Sequence, residues 1–310
     1  MSNAAWFAAL RHWFVGAVTA GDATGPAAES RRVDWPRVVP FLLLHAACLC
    51  AFWTGVSPVA VAVAAALFAL RMFAITAFYH RYFSHRAFST SRSVQLAFAV
   101  LGAMAAQRGP LWWAAHHRQH HAHADQPADA HSPRQHGMFW SHTGWFLSRA
   151  NFATRLKLVP DLACFPELRW LDRYDIAVPV TLAATLFCTG AWLEHTWPGL
   201  GTSAGQMLVW GFCVSTVALH HATFTINSLG HRFGRRRYRT RDDSRNNLWL
   251  ALLTLGEGWH NNHHHYPAAA RQGFYWWEVD LSYYLLRLLA ACGLIWNLRT
   301  VPLAVREMRP

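Results

Sequence analysis

Two long apolar blocks separate three polar segments of the chain. The first block, residues 38–79, contains one charged residue, Arg71, and the second, residues 176–227, contains only Glu194. A membrane-spanning helix needs about 20 apolar residues, so each block is long enough for two helices. Glycine and proline interrupt both blocks near their middles, where a tight turn is expected. The pattern therefore predicts four spans, at residues 38–55, 58–79, 176–196 and 204–226.

Two shorter apolar segments lie outside these blocks. Val94 to Ala106 is predicted to form a helix that lies against the membrane or packs on the spans. Tyr283 to Leu298 has an apolar face and a polar face that carries Arg287, which is typical of a helix in the membrane interface. The predicted fold class is therefore an all-α integral membrane protein, in which four transmembrane helices form two hairpins.

The composition agrees with a membrane protein and adds an orientation. Hydrophobic residues make up 53% of the 310 residues and charged residues only 14%, whereas globular domains carry about 25% charged residues. The net charge is +12, and of the 28 Lys and Arg residues all but Arg71 lie in the three polar segments. Basic residues collect on the cytoplasmic side, so all three segments, and both termini, are expected to be cytoplasmic. Because topology accounts for the positive charge, no nucleic-acid partner is predicted.

This orientation gives a domain plan. Residues 1–37 are expected to form a cytoplasmic N-terminal segment, residues 38–298 a single domain, and residues 299–310 a C-terminal tail. The second and third polar segments together would form a helical cap on the cytoplasmic side of the spans.

Three histidine motifs stand out among the 20 histidines: HRYFSH at His80–His85, HRQHH at His117–His121 and HNNHH at His260–His264. Positions i, i+3 and i+4 share one face of a helix, so the three rings of each of the last two motifs converge. The first motif is spaced i, i+5, which is about 140° apart on an α-helix. Its two rings can reach one metal only if the helix ends or bends between them. All three motifs fall on one predicted membrane face, which indicates a shared metal centre.

Other polar residues extend this candidate site. Asn227 and His231, spaced i, i+4 at the end of the fourth span, are placed to hold a metal-bound water and to add a ninth imidazole. Nearby carboxylates are expected to orient the imidazole rings without binding metal; they are Asp125, Asp129, Asp242, Asp243 and Glu257. Packing, hydrogen-bonding or supporting roles are expected for the remaining histidines: His12, His45, His116, His123, His131, His136, His142, His195, His220, His221 and His265.

The set of candidate ligand atoms limits which metals could bind but does not identify one. Neutral imidazole nitrogens suit iron, copper or zinc. A structural zinc site is closed with four ligands, whereas nine ligands are enough for two metals with open positions. Soluble di-iron proteins use carboxylates with Glu-x-x-His pairs, and carboxylates are scarce beside these motifs.

The order and placement of the motifs resemble the membrane fatty acid desaturases, and more narrowly their acyl-CoA Δ9 (stearoyl-CoA) branch. The likeness covers about residues 38–298 and is carried by ITAFYHRYFSHRAF, WWAAHHRQHH, DAHSPRQHGMFWSHTGW, FTINSLGHRFG and GEGWHNNHHHYP. The resemblance implies two Fe²⁺ ions held by nine histidines and, through water, by one asparagine. On this chain those residues are His80, His85, His117, His120, His121, His231, His260, His263, His264 and Asn227.

The resemblance also implies the reaction. A long-chain fatty acyl-CoA would receive a cis double bond, at Δ9, with dioxygen as co-substrate. No side chain can abstract hydrogen from an unactivated methylene, so the cofactor must carry the oxidation. The chain has no flavin, haem or iron–sulfur motif, so electrons must come from a separate donor of the ferredoxin, rubredoxin or cytochrome b5 type with its reductase.

Candidate substrate-binding residues follow from the same comparison. Gln107 and Arg108 precede the second motif, where the family places polar head-group contacts. Arg149 and the run Arg235–Arg239 are candidates for coenzyme A phosphates, with anionic lipid head groups as the alternative. Candidate wall residues of an apolar acyl tunnel are Trp112, Trp113, Trp145 and Trp259.

Several alternatives stay open at the level of sequence. A membrane di-iron hydroxylase or ketolase would use the same ligands, and a desaturase could act on phospholipid-linked or acyl carrier protein-linked chains. A metal transporter would explain the histidines, but transporters place ligands near the middle of their spans, and here the motifs lie at the ends. The Arg-rich, Lys-poor composition favours a bacterial inner membrane.

Overall fold

The structure is a computed structural model, and it describes residues 14–19 and 32–308. The predicted N-terminal segment 1–37 therefore lies mostly outside the described residues, as do residues 309–310 of the predicted tail. The described chain is predominantly helical, as the sequence predicted. Its principal helices are α1 (Trp35–Ala47), α2 (Pro58–Phe73), α3 (Arg92–Ala103), α4 (Pro110–His123), α5 (Pro166–Arg173), α6 (Ala177–Thr196), α7 (Ser215–Ser228), α8 (Leu248–Leu253), α9 (His260–His265) and α10 (Leu281–Ala291).

Within the described residues, three helical stretches are long and apolar enough to cross a membrane: Pro58–Ser84, Ala177–Thr196 and Ala204–His231. The helix at the first predicted span, Val38–Thr54, is apolar but shorter. A turn at Gly55, whose φ of 70° suits glycine, separates it from α2. Ser57 then begins α2, because its hydroxyl accepts a hydrogen bond from the Ala60 amide at 3.1 Å.

Two of these stretches extend beyond their predicted ends. The stretch that contains the second predicted span runs to Ser84 rather than residue 79, and the stretch that contains the fourth runs to His231 rather than residue 226. Both extensions carry histidine-motif residues, which are polar and therefore ended the apolar pattern on which the prediction relied. The backbone nevertheless continues its helical hydrogen bonding through them.

The helical winding is not uniform. Ala74–Ser84, Trp140–Gly144 and Met207–Val214 are π-helical, a winding with i→i+5 hydrogen bonds that often occurs at functional sites. Short helices or single 3₁₀ turns occupy Cys48–Cys50, Ala51–Thr54, Pro133–His136, Trp145–Leu147, Arg149–Asn151, Leu156–Leu158, Pro160–Ala163, Pro198–Leu200, Ala204–Gln206, Leu229–His231 and Leu303–Arg306.

Within residues 14–19 and 32–308, four two-residue strands form two pairs. The strand β1 (Val18–Thr19) pairs in parallel with β3 (Thr154–Arg155), and β2 (Ser89–Thr90) pairs antiparallel with β4 (Ile295–Trp296). The helix predicted over 283–298 is therefore wrong in its last part. It ends at Ala291, and Gly293 with φ of 72° turns the chain into β4.

The main apolar core lies where the π-helix Ala74–Ser84 meets α3, α4, α5, α7 and α10. Phe78 stacks on Phe98 of α3, with ring centroids 3.6 Å apart, and Gly102 lies against the ring of Tyr79. This core packs against the helical segment that carries His80 and so supports the first histidine motif.

Candidate metal and acyl-binding site

The nine predicted histidines gather in two groups. One contains His80, His85, His117, His121 and His263, and the other contains His120, His231, His260 and His264. Within each group the candidate ligand atoms all lie within 4.8 Å of one another. The second and third motifs each contribute to both groups, so neither group can form without all the helices that carry them.

The first motif reaches its group through the π-helix. The backbone amide of His85 donates to the carbonyl of His80 at 3.3 Å, which is the i→i+5 bond of π winding. The two ring centroids are 5.0 Å apart. The π-helix ends at Ser84, so the helix end expected between these residues is present, and the wider π winding also brings position i+5 round to the same side.

Imidazole nitrogens face one another within each group. The Nε2 atom of His263 is 2.9 Å from the Nε2 atoms of both His80 and His121. In the other group, Nε2 of His231 is 3.0 Å from Nε2 of His260. Two imidazoles bound to one metal at about 2.0–2.1 Å place their nitrogens about 3 Å apart at tetrahedral or octahedral angles. Both groups therefore fit a metal ion such as iron.

Carboxylates contact the opposite nitrogen, Nδ1, of four of these rings. The oxygen–nitrogen distance is 2.8 Å from Asp125 to His231, 3.0 Å from Asp129 to His120 and 3.0 Å from Asp242 to His264, and Glu257 contacts His80. Each such contact keeps the proton on Nδ1 and leaves the Nε2 lone pair facing the centre of the group. Asp243, in contrast, pairs with Arg134 and Arg236.

Burial and these contacts set the charge of the site. Burial lowers the pKa of the His85, His117, His121, His260 and His263 rings well below the usual 6.5, and neighbouring histidines lower it further. These five rings are therefore neutral and able to bind a metal.

His120 and its partner Asp129 behave differently. Burial acts to lower the pKa of His120, but the Asp129 carboxylate raises it above its usual value. Burial likewise acts to raise the pKa of Asp129, and its contacts with His120 and His131 hold it well below the usual range. Asp129 is thus a carboxylate anion that bridges a candidate ligand and a second histidine, His131, at 3.2 Å.

A small cavity of about 50 Å³ lies between the two groups, and Asn227 lines it together with His80, His117, His120 and His260. Asn227 also lines the larger cavity described next. This position suits the predicted role of holding a metal-bound water, because the side chain lies beside both histidine groups.

A larger cavity of about 440 Å³ adjoins this centre. Side chains of α1, α4, α6 and α7 form its largely apolar wall. The predicted residues Gln107, Arg108, Trp112, Trp113 and Trp145 line it, and Trp113, His117, Thr223 and Asn227 belong to both cavities. The larger cavity therefore reaches the histidine groups.

Two predicted substrate residues lie elsewhere. Arg149 is exposed and does not line the cavity. Trp259 is buried, and its indole nitrogen donates to the Val279 carbonyl at 2.8 Å.

Two side chains at the site, Gln272 and Thr223, were not predicted from the sequence. Gln272 lies with its amide nitrogen 3.3 Å from Nδ1 of His80, and no spacing relative to the third motif marks it. Thr223 accepts a hydrogen bond from the Gln107 amide at 2.7 Å. Its position four residues before Asn227 puts both on one helix face, so periodicity could have found Thr223.

The fold and site together define a class of protein: a helical protein with two histidine groups that could each hold a metal ion, beside a largely apolar cavity. A sequence profile described as fatty acid desaturase matches residues 56–291. The chain belongs to the fatty acid desaturase family, which confirms the family predicted from the motifs.

The chain is similar to several characterised desaturases and related enzymes. The chain is 35% identical over 271 residues to the sn-1 stearoyl-lipid 9-desaturase of Anabaena variabilis, covering 86% of this chain and 94% of the relative. It is 36% identical over 206 residues to the sn-2 palmitoyl-lipid 9-desaturase of Nostoc sp., covering 65% and 67%. It is also 32% identical over 273 residues to the hex-5-enoyl-[acyl-carrier protein] acetylenase of Moorena producens, covering 84% of each chain.

Proposed function

We propose that this protein is an oxygen-dependent desaturase that introduces a cis double bond at Δ9 of a long fatty acyl chain. The observation that carries the proposal is the contact between the two histidine groups and the apolar cavity, through Trp113, His117, Thr223 and Asn227. A candidate reactive centre that adjoins an apolar cavity suits a methylene chain as substrate.

The nine histidines would hold two Fe²⁺ ions, five nitrogens facing one and four facing the other. Iron supplies the chemistry that activates dioxygen for removal of two hydrogens from a methylene pair. Asp125, Asp129, Asp242 and Glu257 hold the ligand rings. Asn227, which lines both cavities, would lie beside the acyl chain. Electrons would come from a ferredoxin, rubredoxin or cytochrome b5 type donor with its reductase.

The proposed membrane arrangement has four spans in two hairpins, with the histidine groups in a cytoplasmic cap and both termini cytoplasmic, in a bacterial inner membrane. Three long apolar helices support it. The shorter helix Val38–Thr54 fits as the fourth span because Phe52 and Trp53 at its end are 84% and 79% exposed, as aromatic side chains at a membrane interface are.

The motif resemblance suggested acyl-CoA as the substrate. We propose instead that the acyl chain is esterified to a membrane lipid. Three of the six arginines that were candidates for head-group contacts, Arg108, Arg236 and Arg237, already have carboxylate partners. Arg108 pairs with Asp175 at 3.1 Å, and Arg237 pairs with the buried Glu278. The names of the Anabaena and Nostoc relatives, both lipid 9-desaturases, support the same choice.

The proposal is tested by expressing the protein in bacteria that lack unsaturated fatty acids and by analysing the acids by gas chromatography. Wild type should form a monoene, and His120→Ala should not. The purified enzyme, with a reduced donor, is then offered phospholipid, acyl-CoA and acyl carrier protein substrates. Absence of a monoene in every arm would contradict the proposal, and a hydroxy acid as main product would indicate a hydroxylase instead.

A further inference from the structure

Arg71 is a charged residue midway along the apolar stretch Pro58–Ser84, and its side chain is 0% exposed. Ionisable residues inside membrane spans are rare and costly, and they usually serve a function. In the described part of the chain, the recorded partners of Arg71 are all neutral oxygens. The charged guanidinium of Arg71 is therefore stabilised by hydrogen bonds to these oxygens rather than by an ion pair.

These hydrogen bonds join three different parts of the molecule. The Nε atom donates to the Leu67 carbonyl of its own helix at 3.0 Å. The two terminal nitrogens donate to the hydroxyls of Ser215 and Thr216 on α7, at 2.5 and 2.7 Å. One of them also reaches the Met104 carbonyl at 3.4 Å, in the connection between α3 and α4. Arg71 thus links two candidate spans to a loop.

That loop, Met104–Gly109, lies beside the middle of the stretch Ala204–His231. The Ala105 carbonyl accepts a hydrogen bond from Nε2 of His220 at 3.0 Å, and Gln107 donates to Thr223 at 2.7 Å. Irregular backbone is tolerated at membrane depth only where protein groups satisfy its hydrogen bonds. Arg71 and His220 provide those groups for two consecutive carbonyls.

The loop is also strained. Ala106 and Arg108 have φ of 54° and 72°, a left-handed region that residues with a side chain seldom adopt. Such residues keep these conformations only when their surroundings fix them. The loop carries Gln107 and Arg108 into the wall of the large cavity, so its position determines the shape of that wall beside Trp113 and His117.

We propose that Arg71 is a positioning residue that fixes the Met104–Gly109 loop against α7 and so sets which carbons of the acyl chain lie beside the histidine groups. The proposal rests on the proposed desaturase function only for its effect on the product. Arg71 touches neither substrate nor metal ligands. Its planar guanidinium spreads five donors over a rigid fork, whereas lysine offers three donors from a single nitrogen and cannot span the same acceptors in this arrangement.

The first experiment measures the loop itself and does not depend on activity. Purified wild type, Arg71→Gln and Thr216→Val are compared by hydrogen–deuterium exchange at residues 104–109. The matched control is Thr185→Val, because the Thr185 hydroxyl binds only the Thr181 carbonyl of its own helix, at 2.8 Å, on an exposed face. We expect faster exchange of the loop in the first two variants and no change in the control.

The second experiment measures the product. The double-bond position is determined by mass spectrometry of derivatised acids in Arg71→Gln, Thr216→Val and Arg71→Lys, with Thr185→Val again as the control. Activity is expressed per bound iron. We expect activity per iron to fall by about 100-fold, the loss that follows a misplacement of about 1 Å, and the monoene to spread over neighbouring positions. A purely structural role would reduce the amount of iron-loaded protein without moving the double bond.

The outcomes separate the two proposals. Unchanged exchange at residues 104–109 in Arg71→Gln would overturn the positioning role, whatever the activity of the wild type. A single product isomer, formed at the wild-type rate per iron by Arg71→Gln, would overturn it as well. A wild type that forms no monoene would contradict only the desaturase function, because the exchange result stands independently.

Discussion

The carboxylate of Asp242 accepts a hydrogen bond from Nδ1 of His264 at 3.0 Å. The next residue, Asp243, instead pairs with Arg134 and Arg236 on the surface, at 3.7 and 3.6 Å. Two neighbouring acids of similar sequence context therefore have different partners. Of these two acids, only Asp242 contacts a candidate metal ligand and can fix its orientation.

This difference gives a matched pair of variants. Asp242→Asn removes the charge that holds the Nδ1 proton of His264, and loss of such a partner typically weakens metal binding by about 10–100-fold. Asp243→Asn should leave iron binding unchanged. Iron retained per protein is measured by atomic emission during a chelator titration. Equal iron loss in both variants would show that the orientation of His264 does not depend on Asp242.

The packing of Gly102 against Tyr79 gives a second prediction. A Cβ atom at Gly102 would lie 2.0 Å from the Tyr79 ring, and Tyr79 directly precedes His80. Gly102→Ala should therefore destabilise the protein by about 1–3 kcal/mol, the usual effect of overpacking a core, and reduce iron content. Thermal unfolding in detergent measures the first effect. The control is Gly199→Ala, since nothing lies within 4 Å of that position, and an equal loss in both would contradict the packing argument.

Much of the helical fold could be predicted because apolar runs and helix length follow directly from sequence. The helices continue past the predicted span ends, to Ser84 and His231, because the polar histidines there interrupt the apolar pattern without ending the helix. The loop Met104–Gly109 could not be placed from sequence. Its carbonyls accept hydrogen bonds from Arg71 and His220, which come close to it only through the packing of the helices.

The histidines of the candidate site could be predicted from their spacing, but their division into two groups could not. His120 and His121 are adjacent, yet they belong to different groups, because the rings of neighbouring helix residues point about 100° apart. The π winding at His80–His85 was also hidden, since no composition rule marks a π-helix. The assignment of these residues as iron ligands stays a prediction until metal is measured.

Asp172 gives a prediction for the pH dependence of stability. Burial raises the pKa of its carboxyl to about 6, although Thr154 and the Trp112 amide donate hydrogen bonds to it. The pKa of this carboxyl is thus higher in the folded protein than in the unfolded chain, where it is 3.8. Its contribution to the free energy of unfolding is therefore fully present below pH 3.8. This contribution is lost as the pH rises through about 6, and a shift of this size amounts to about 3 kcal/mol.

The variant Asp172→Asn tests this prediction. Its amide can accept from Trp112 and donate to Thr154, so the local bonds remain while the titration disappears. Free energies of unfolding in denaturant are compared between pH 4 and pH 7, in steps spanning the expected transition. The wild type should lose stability relative to the variant as pH rises. A difference between the two proteins that does not change with pH would contradict the raised pKa.

The end of the large cavity gives a prediction for chain length. Along α6 the lining runs from Ile176 to Ala183, and along the neighbouring stretch it runs from Asn227 back to Phe212, so Ala183 and Phe212 mark the end farthest from the histidine groups. Ala183→Phe should fill that end and disfavour stearoyl relative to palmitoyl chains by about tenfold, at about 0.8 kcal/mol per excluded methylene. Ala184→Phe is the matched control because Ala184 is exposed and does not line the cavity. Competition between the two chains, measured by gas chromatography, checks the ratio, and an equal shift in both variants would mean that the chain does not reach Ala183.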